Sequence, residues 1–232
     1  MIFGRSFLTL AFAGALCLAL SPEPAQAACN DSPKAGVDWS KCQKTRLILR
    51  DKNLTRAKLE RTDLSASDFL GANLSDANLA GANLTRARLS QANLTGAILT
   101  KAFGSRTDFA GAILVRARLD KVEFSRVNLD GADLSDASVS KADLGRASLR
   151  GAQLQGANLS KAILARVDFS GANLTGTEFT AAYTLYARFE GVDLSRTVGL
   201  TQDQLDDACG DEATLLPTGL VRSADWPCDI DG

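Results

Sequence analysis

The chain has 232 residues, of which 34 are Leu and 36 Ala, and it contains no His, one Met and 6% aromatic residues. Apolar residues make up 45% and charged residues 23%, with a formal net charge of −1, a balance that excludes disordered and collagen-like classes. Without His, the usual general base near neutral pH and the commonest metal ligand are both missing, and so low a diversity of residues calls for an internal repeat.

At the N-terminus, Arg5 precedes an apolar run from Phe7 to Leu20, followed by Ser21-Pro22-Glu23-Pro24 and Ala25-Gln26-Ala27. A charged start, a 14-residue hydrophobic stretch and a small-x-small site read as a secretory signal peptide over residues 1–27. The run is short for a membrane span, which takes about 20 residues. Export to a periplasmic or extracellular location is the expectation, with no spanning segment later in the chain. The mature chain then carries Cys29, Cys42, Cys209 and Cys228. Four cysteines in an exported protein read as two disulfides, with three possible pairings. Residues 28–48 contain Pro33, Gly36 and Trp39 and read as an N-terminal cap, Trp39 standing where it covers the first apolar layer.

From Leu49 to Leu194 every fifth residue falls in one register: Leu49, Leu54, Leu59, Leu64 and Phe69 open it, and Phe189 and Leu194 close it. Of 30 positions 28 are apolar, Gly104 and Thr184 being the exceptions. A small residue, usually Ala, sits two places before each, and Asn or Asp often lies between. On an α-helix five residues advance about 500°, so the Leu would spiral over every face. On a plain strand an odd period would put successive Leu on opposite faces. A single core results if three residues are strand-like and two turn the chain by about a quarter, closing a square coil every 20 residues. The residues two places after the central Leu sort at that spacing: Arg86, Arg106, Arg126, Arg146 and Arg166 in one column, Lys101, Lys121, Lys141 and Lys161 in the next, Gly in a third.

Runs such as Ala72-Asn73-Leu74-Ser75-Asp76 and Ala172-Asn173-Leu174-Thr175-Gly176 resemble the pentapeptide-repeat family, whose motif is A-(D/N)-L-x-x. The resemblance covers roughly residues 45–199. It implies an all-β fold, a right-handed quadrilateral β-helix, for residues 49–199. About 7.5 coils at a rise of ~4.8 Å make a rod of roughly 36 Å, whose ends need caps. Cysteines at opposite ends of such a rod lie too far apart for the ~7 Å Cα limit of a disulfide. The pairings then expected are Cys29–Cys42 and Cys209–Cys228.

Residues 200–232 read as the C-terminal cap. Thr201-Gln202-Asp203-Gln204 has the form of a capping box and opens a short helix through Leu205 and Ala208, stopped by Gly210. Leu215, Leu216, Leu220 and Trp226 offer further apolar cover.

No catalytic constellation is visible, and no cofactor, metal or nucleic acid is expected. The recurrent Asp and Asn follow from the repeat and read as outward ladders. The acids Asp203, Asp206, Asp207, Asp211 and Glu212 lack EF-hand spacing. Charge is divided unevenly along the chain. Residues 44–199 hold 22 Lys and Arg against 16 Asp and Glu, a net of +6, and residues 200–232 hold one against eight, a net of −7. The Arg and Lys columns read as a basic stripe of candidate anion-binding residues, where neighbours in water repel by about 1 kcal/mol unless acids such as Glu123 and Asp143 relieve them. The first functional expectation is a non-enzymatic structural or protein-interaction scaffold. The second is a polyanion binder, taking a polysaccharide, lipid head groups or an acidic protein face on the stripe. Some family members are DNA mimics that inhibit topoisomerase, a role that fits poorly because mimicry needs an acidic rod. Around the register breaks, Phe103, Tyr183, Leu185 and Tyr186 mark an aromatic patch or bulge as a further candidate contact.

Overall fold

A computed structural model describes residues 29–228; the expected signal peptide lies outside the described residues. In most of the five-residue units the Ala position and the central Leu or Phe point inward and are buried, as Ala72 and Leu74 are; Lys52, at an Ala position in the first coil, is exposed. The residue between them points outward and forms one parallel β-bridge to the residue 20 places on. Asp38 pairs with Lys58, Gln43 with Asp63, Ile48 with Asp68 and Asn53 with Asn73, before Lys58 pairs with Asn78 and the cycle repeats. Four bridges in 20 residues are four sides. Sides 1 to 4 are numbered here from the bridge columns that begin at Asp38, Gln43, Ile48 and Asn53.

Three backbone hydrogen bonds join each side to the next coil, as in Leu54 N to Asn73 O at 2.7 Å, Arg56 N to Ser75 O at 2.9 Å and Asn73 N to Lys52 O at 2.9 Å. The corners are type II turns. The central residue's carbonyl accepts from the N–H three places on, at 3.0 Å between Leu74 and Ala77, and the second turn residue has positive φ. Glycine meets that demand without a Cβ penalty, but 21 described non-glycine residues also hold it, with φ between 53° and 61°. Each costs on the order of 1 kcal/mol, so the coil has to impose the conformation through the bonds on both sides of it. The bridge Asn and Asp help. Their Oδ1 atoms accept from the N–H two residues on, as Asn73 does from Ser75 at 3.0 Å and Asp143 from Gly145 at 2.9 Å. These side chains therefore brace corners in addition to facing outward.

The core is one Leu layer per coil, interrupted by rings: Phe169 and Phe189 stack at 5.3 Å, with Phe179 set edge-on to both at 6.2 and 6.0 Å. Where Thr or Ser replaces the inner Ala, its hydroxyl finds a backbone acceptor 23 residues earlier. Thr62 donates to Trp39 O at 2.6 Å, Thr107 to Leu84 O and Thr177 to Leu154 O, both at 2.8 Å. These three buried hydroxyls are thus satisfied.

Both ends differ in detail from the expectation. The first bridge is at Asp38, inside the segment 28–48 set apart as a cap, because turns at Lys41 and Arg46 and the backbone ladder complete a coil before Leu dominates. Trp39 fills the inner place of that coil at 1% exposure, and its Nε1 donates to Asp31 O at 3.1 Å. Cys42, in an Ala position, is disulfide-bonded to Cys29 with Cα atoms 5.6 Å apart. At the other end helix α1 spans Gln202–Asp206, with the capping box between Thr201 and Gln204 formed. It stops short of Ala208, where Asp207 caps it and the chain returns to the ladder. Cys209 and Leu215 then pair with Arg188 and Asp193 as the last rungs of sides 3 and 4. Cys209 is bonded to Cys228 with Cα atoms 5.3 Å apart, and Trp226 Nε1 donates to Ala208 O at 2.7 Å.

Candidate binding face

Side 2 carries the bridge column Asn83, Phe103, Glu123, Asp143, Ile163 and Tyr183. One crossing of it reads Lys101-Ala102-Phe103-Gly104-Ser105-Arg106, so the Lys column lies at the corner entering the side and the Arg column at the corner leaving it. The two columns are therefore not one stripe. They are the two long edges of a single face, repeated every coil at ~4.8 Å. Lys101, Lys121, Lys141 and Lys161, and Arg86, Arg106, Arg126, Arg146 and Arg166, are all exposed at turn positions with φ between 56° and 60°.

Among the described residues none of these nine lies within ion-pair distance of a carboxylate, although eight such contacts form elsewhere. Glu123 and Asp143, expected to relieve the repulsion, form no ion pair among the described residues; Asp143 is engaged at its own corner, accepting from Gly145. The face is also apolar in places. Phe103, Ile163 and Tyr183 in its centre and Tyr186 at its Arg edge are 40–48% exposed. Tyr186 occupies the next place in the Arg column, and the Arg166 guanidinium carbon sits 5.5 Å from its ring centroid. Along the Arg edge runs a shallow groove of about 410 Å³, lined by Arg126, Arg146 and Arg166 and, between them, by the acid Asp143 with Ser105, Ser125, Gly145 and Ala165.

The register breaks have structural reasons, and neither is a bulge. Phe103 keeps its bridges to Asn83 and Glu123. At Gly104 a Cβ would press on Thr107 Oγ1 and come within 3.1 Å of the Leu84 carbonyl carbon, because the Thr107 hydroxyl is turned inward to Leu84 O. Thr184 seats the cap: its hydroxyl donates to Gln204 O at 2.8 Å, while Gln204 Nε2 donates to Phe179 O and Ala182 O at 2.9 and 2.7 Å. Phe103 and Tyr183 are four coils apart, about 19 Å, so the aromatic residues make a cluster only at the C-terminal end of the face. That the Lys and Arg columns flank one side was readable from sequence, since Lys101 and Arg106 are one repeat apart. The groove and the missing counter-ions were not.

Side 3 is built differently. Arg50 and Arg88 reach Asp68 at 2.7 and 3.3 Å, and Arg150 reaches Asp130 at 2.7 Å. Burial pushes the Asp68 and Asp130 carboxyls up, but the bonds from Arg50 to the first and from Arg150 and Ser148 to the second outweigh it, and both are held below the ordinary carboxylate range.

Among the described residues no helix is long and apolar enough to cross a membrane. No curated protein sequence matches the chain. Among solved structures the chain is similar to HetL of the cyanobacterium Nostoc, a pentapeptide-repeat protein involved in regulating heterocyst differentiation, at 25% identity over 87% of this chain and 91% of that one, with a TM-score of 0.39. It is also similar to QnrB1, a plasmid-mediated fluoroquinolone resistance protein, at 18% identity over 75% and 93%, TM-score 0.37. A third likeness is to a pentapeptide-repeat protein of the Arabidopsis thaliana thylakoid lumen, at 22% identity over 82% and 85%, TM-score 0.21. The family profile described as pentapeptide repeats matches in 8 copies over residues 53–91, 87–126, 128–164 and 162–198, more than half of the chain. The chain belongs to the pentapeptide-repeat family.

Proposed function

We propose that this protein is an exported, non-enzymatic scaffold, a right-handed rod that docks a negatively charged partner on side 2. One observation carries the reading: two basic columns without counter-ions border a single side, and that side also holds four of the large exposed apolar residues. Desolvating nine cations against nothing is unfavourable, whereas an anionic partner neutralises them and covers the rings at the same time. The bonded cysteine pairs support an oxidising compartment, in keeping with the expected signal peptide. Family membership fits a scaffold and supplies no particular role, since one fold serves many.

The test is crosslinking and affinity capture from the exporting cell with the mature chain and with an Arg106→Glu/Arg126→Glu/Arg146→Glu variant. The wild type is expected to retain an anionic partner that the variant loses, with circular dichroism unchanged. Equal capture by both chains would remove side 2 from the function.

A further inference from the structure

We infer that the C-terminal end of side 2 is a self-association surface, on which two copies of this chain meet face to face and antiparallel. The inference goes beyond the docking of a foreign partner on side 2, and the contact leaves Arg86 and Arg106 outside it.

The chain itself supplies the anion. Side 2 does not end at its last bridge residue, Tyr183. Val198 still bridges Glu178 on side 1 and Cys209 bridges Arg188 on side 3, so the segment between them crosses above side 2 and carries α1 there. The Arg-edge ladder runs into it: Arg146 N donates to Ala165 O at 2.9 Å, Arg166 N to Leu185 O at 2.8 Å and Tyr186 N to Asp207 O at 2.6 Å. Asp203, Asp206 and Asp207 are exposed on this last layer, and none is in an ion pair among the described residues. Asp203 comes early in the crossing, as the Lys column does, and Asp206 and Asp207 late, as the Arg column does. Toward the C-terminus one face therefore carries cations, then rings, then acids.

A two-fold axis between the Ile163 and Tyr183 layers matches these bands. Lying in the interface across the rods, it sets each edge opposite the same edge and reverses the order of the layers. The partner's Asp203 then faces Lys141, and the partner's Asp206 and Asp207 face Arg146. Arg166 meets the partner's Tyr186, a pairing this guanidinium already makes within its own chain at 5.5 Å from the ring centroid. Ile163 meets the partner's Tyr183 at the axis, and their 45% and 48% exposure makes an apolar centre inside a charged rim. Charge balances over the overlap: Lys141, Arg146, Lys161 and Arg166 less Asp143 carry +3, and Asp203, Asp206 and Asp207 carry −3. Repulsion limits the register. One more layer of overlap would set Lys161 and Arg166 on the partner's Lys161 and Arg166, so this is the longest overlap that opposes no cation to a cation. The chain's net charge of −1 leaves two copies little long-range repulsion to overcome. Four layers make a contact about 19 Å long, small enough that the pair is a reversible one set by concentration.

The experiment follows the full mature chain by sedimentation at concentrations up to about 1 mM, at low and high salt. A dimer is expected, and salt should weaken it several-fold. Asp203→Lys/Asp207→Lys should weaken it at least about tenfold, and so should Lys141→Asp/Arg146→Asp, since Asp tolerates the positive φ of both corners. The four substitutions together should restore the dimer to within about threefold of the parent, which a merely misfolded chain would not do. A photocrosslinking residue in place of Tyr183 should capture residues 161–166 of a second copy, and this result decides alone if a charge variant fails to fold. A chain that is monomeric at every concentration, assemblies that grow past the dimer, or a folded combined variant that stays apart overturns the pairing. Capture at residues 121–126 instead overturns the register. Capture of a foreign anion is tested separately by the Arg106→Glu/Arg126→Glu/Arg146→Glu comparison, so the two readings fail independently.

Discussion

On side 3, Arg150 lies 2.7 Å from Asp130 and Arg50 2.7 Å from Asp68, each pair spanning neighbouring coils. On side 2, one quarter-turn earlier along the same coils, Arg126, Arg146 and Arg166 face no carboxylate within ion-pair reach among the described residues. Backbone, rise and core are common to both sides, so the difference lies in which side chain stands at which position of the repeat. On side 3 the acids sit at the bridge column or just after it, Asp68 at the bridge and Asp130 at the first turn position, within reach of Arg on an adjacent coil. On side 2 the cations stand at the second turn position, stacked over cations. A repeat that can neutralise its charges on one side leaves them open on the next, which separates a surface made for the rod from a surface open to a partner.

The largest expected effect tests whether the gap in the Leu ladder of side 2 belongs to the core or to the face. Gly104→Leu restores the repeat in sequence, yet it should destabilise by about 1–3 kcal/mol through overpacking, because Thr107 Oγ1 and the Leu84 backbone already occupy the space. Adding Thr107→Ala frees part of that space and should recover a portion of the loss in urea unfolding. Full stability of the single variant would mean that the gap has no packing cause.

Next in size is the ion-paired side. Asp130→Asn removes the charge that pairs with Arg150 and replaces one of the two acceptor oxygens by a donor, and a decrease in Tm on the order of 1–2 °C is expected, as for other partly exposed pairs. The sign with pH follows from the lowered folded value of Asp130. Its contribution is complete above about pH 5 and fades as pH falls from about 4 through that lower value. Thermal scans from pH 6 to pH 3 should therefore show wild type and Asp130→Asn converging in acid. Parallel curves would mean that the pair does not stabilise the rod.

The smallest effect has the opposite sign. Arg146 holds φ +60° between like charges, so Arg146→Asn, which tolerates that conformation and carries no charge, should leave stability unchanged or raise it by a few tenths of a kcal/mol. The gain should shrink with added salt. A loss as large as that of Asp130→Asn would show the basic edge to be structural, and the contrast between the two sides would fail.

Much of the fold is legible in the chain because the repeat is strictly local. A period of five is incompatible with helix and with flat strand, the 20-residue sorting of Arg, Lys and Gly reports four corners, and cysteines at opposite ends of a rod can only pair with their near neighbours. The same locality hides the start of the first coil, where turns at Lys41 and Arg46 and a buried Trp39 keep the ladder going without Leu in each layer. It also hides why Thr184 breaks the register, since its partner, the carbonyl of Gln204, belongs to the cap that closes the core.

Sequence alone determined the period, the number of sides, the inner and outer positions, the disulfide partners and the residues that form each charged column. Only the tertiary structure decided which Arg find a carboxylate and where a groove opens. Periodicity assigns each residue to a corner through short-range backbone geometry. Neutralisation depends on side chains from different coils meeting within a few ångströms, and no single repeat contains that distance.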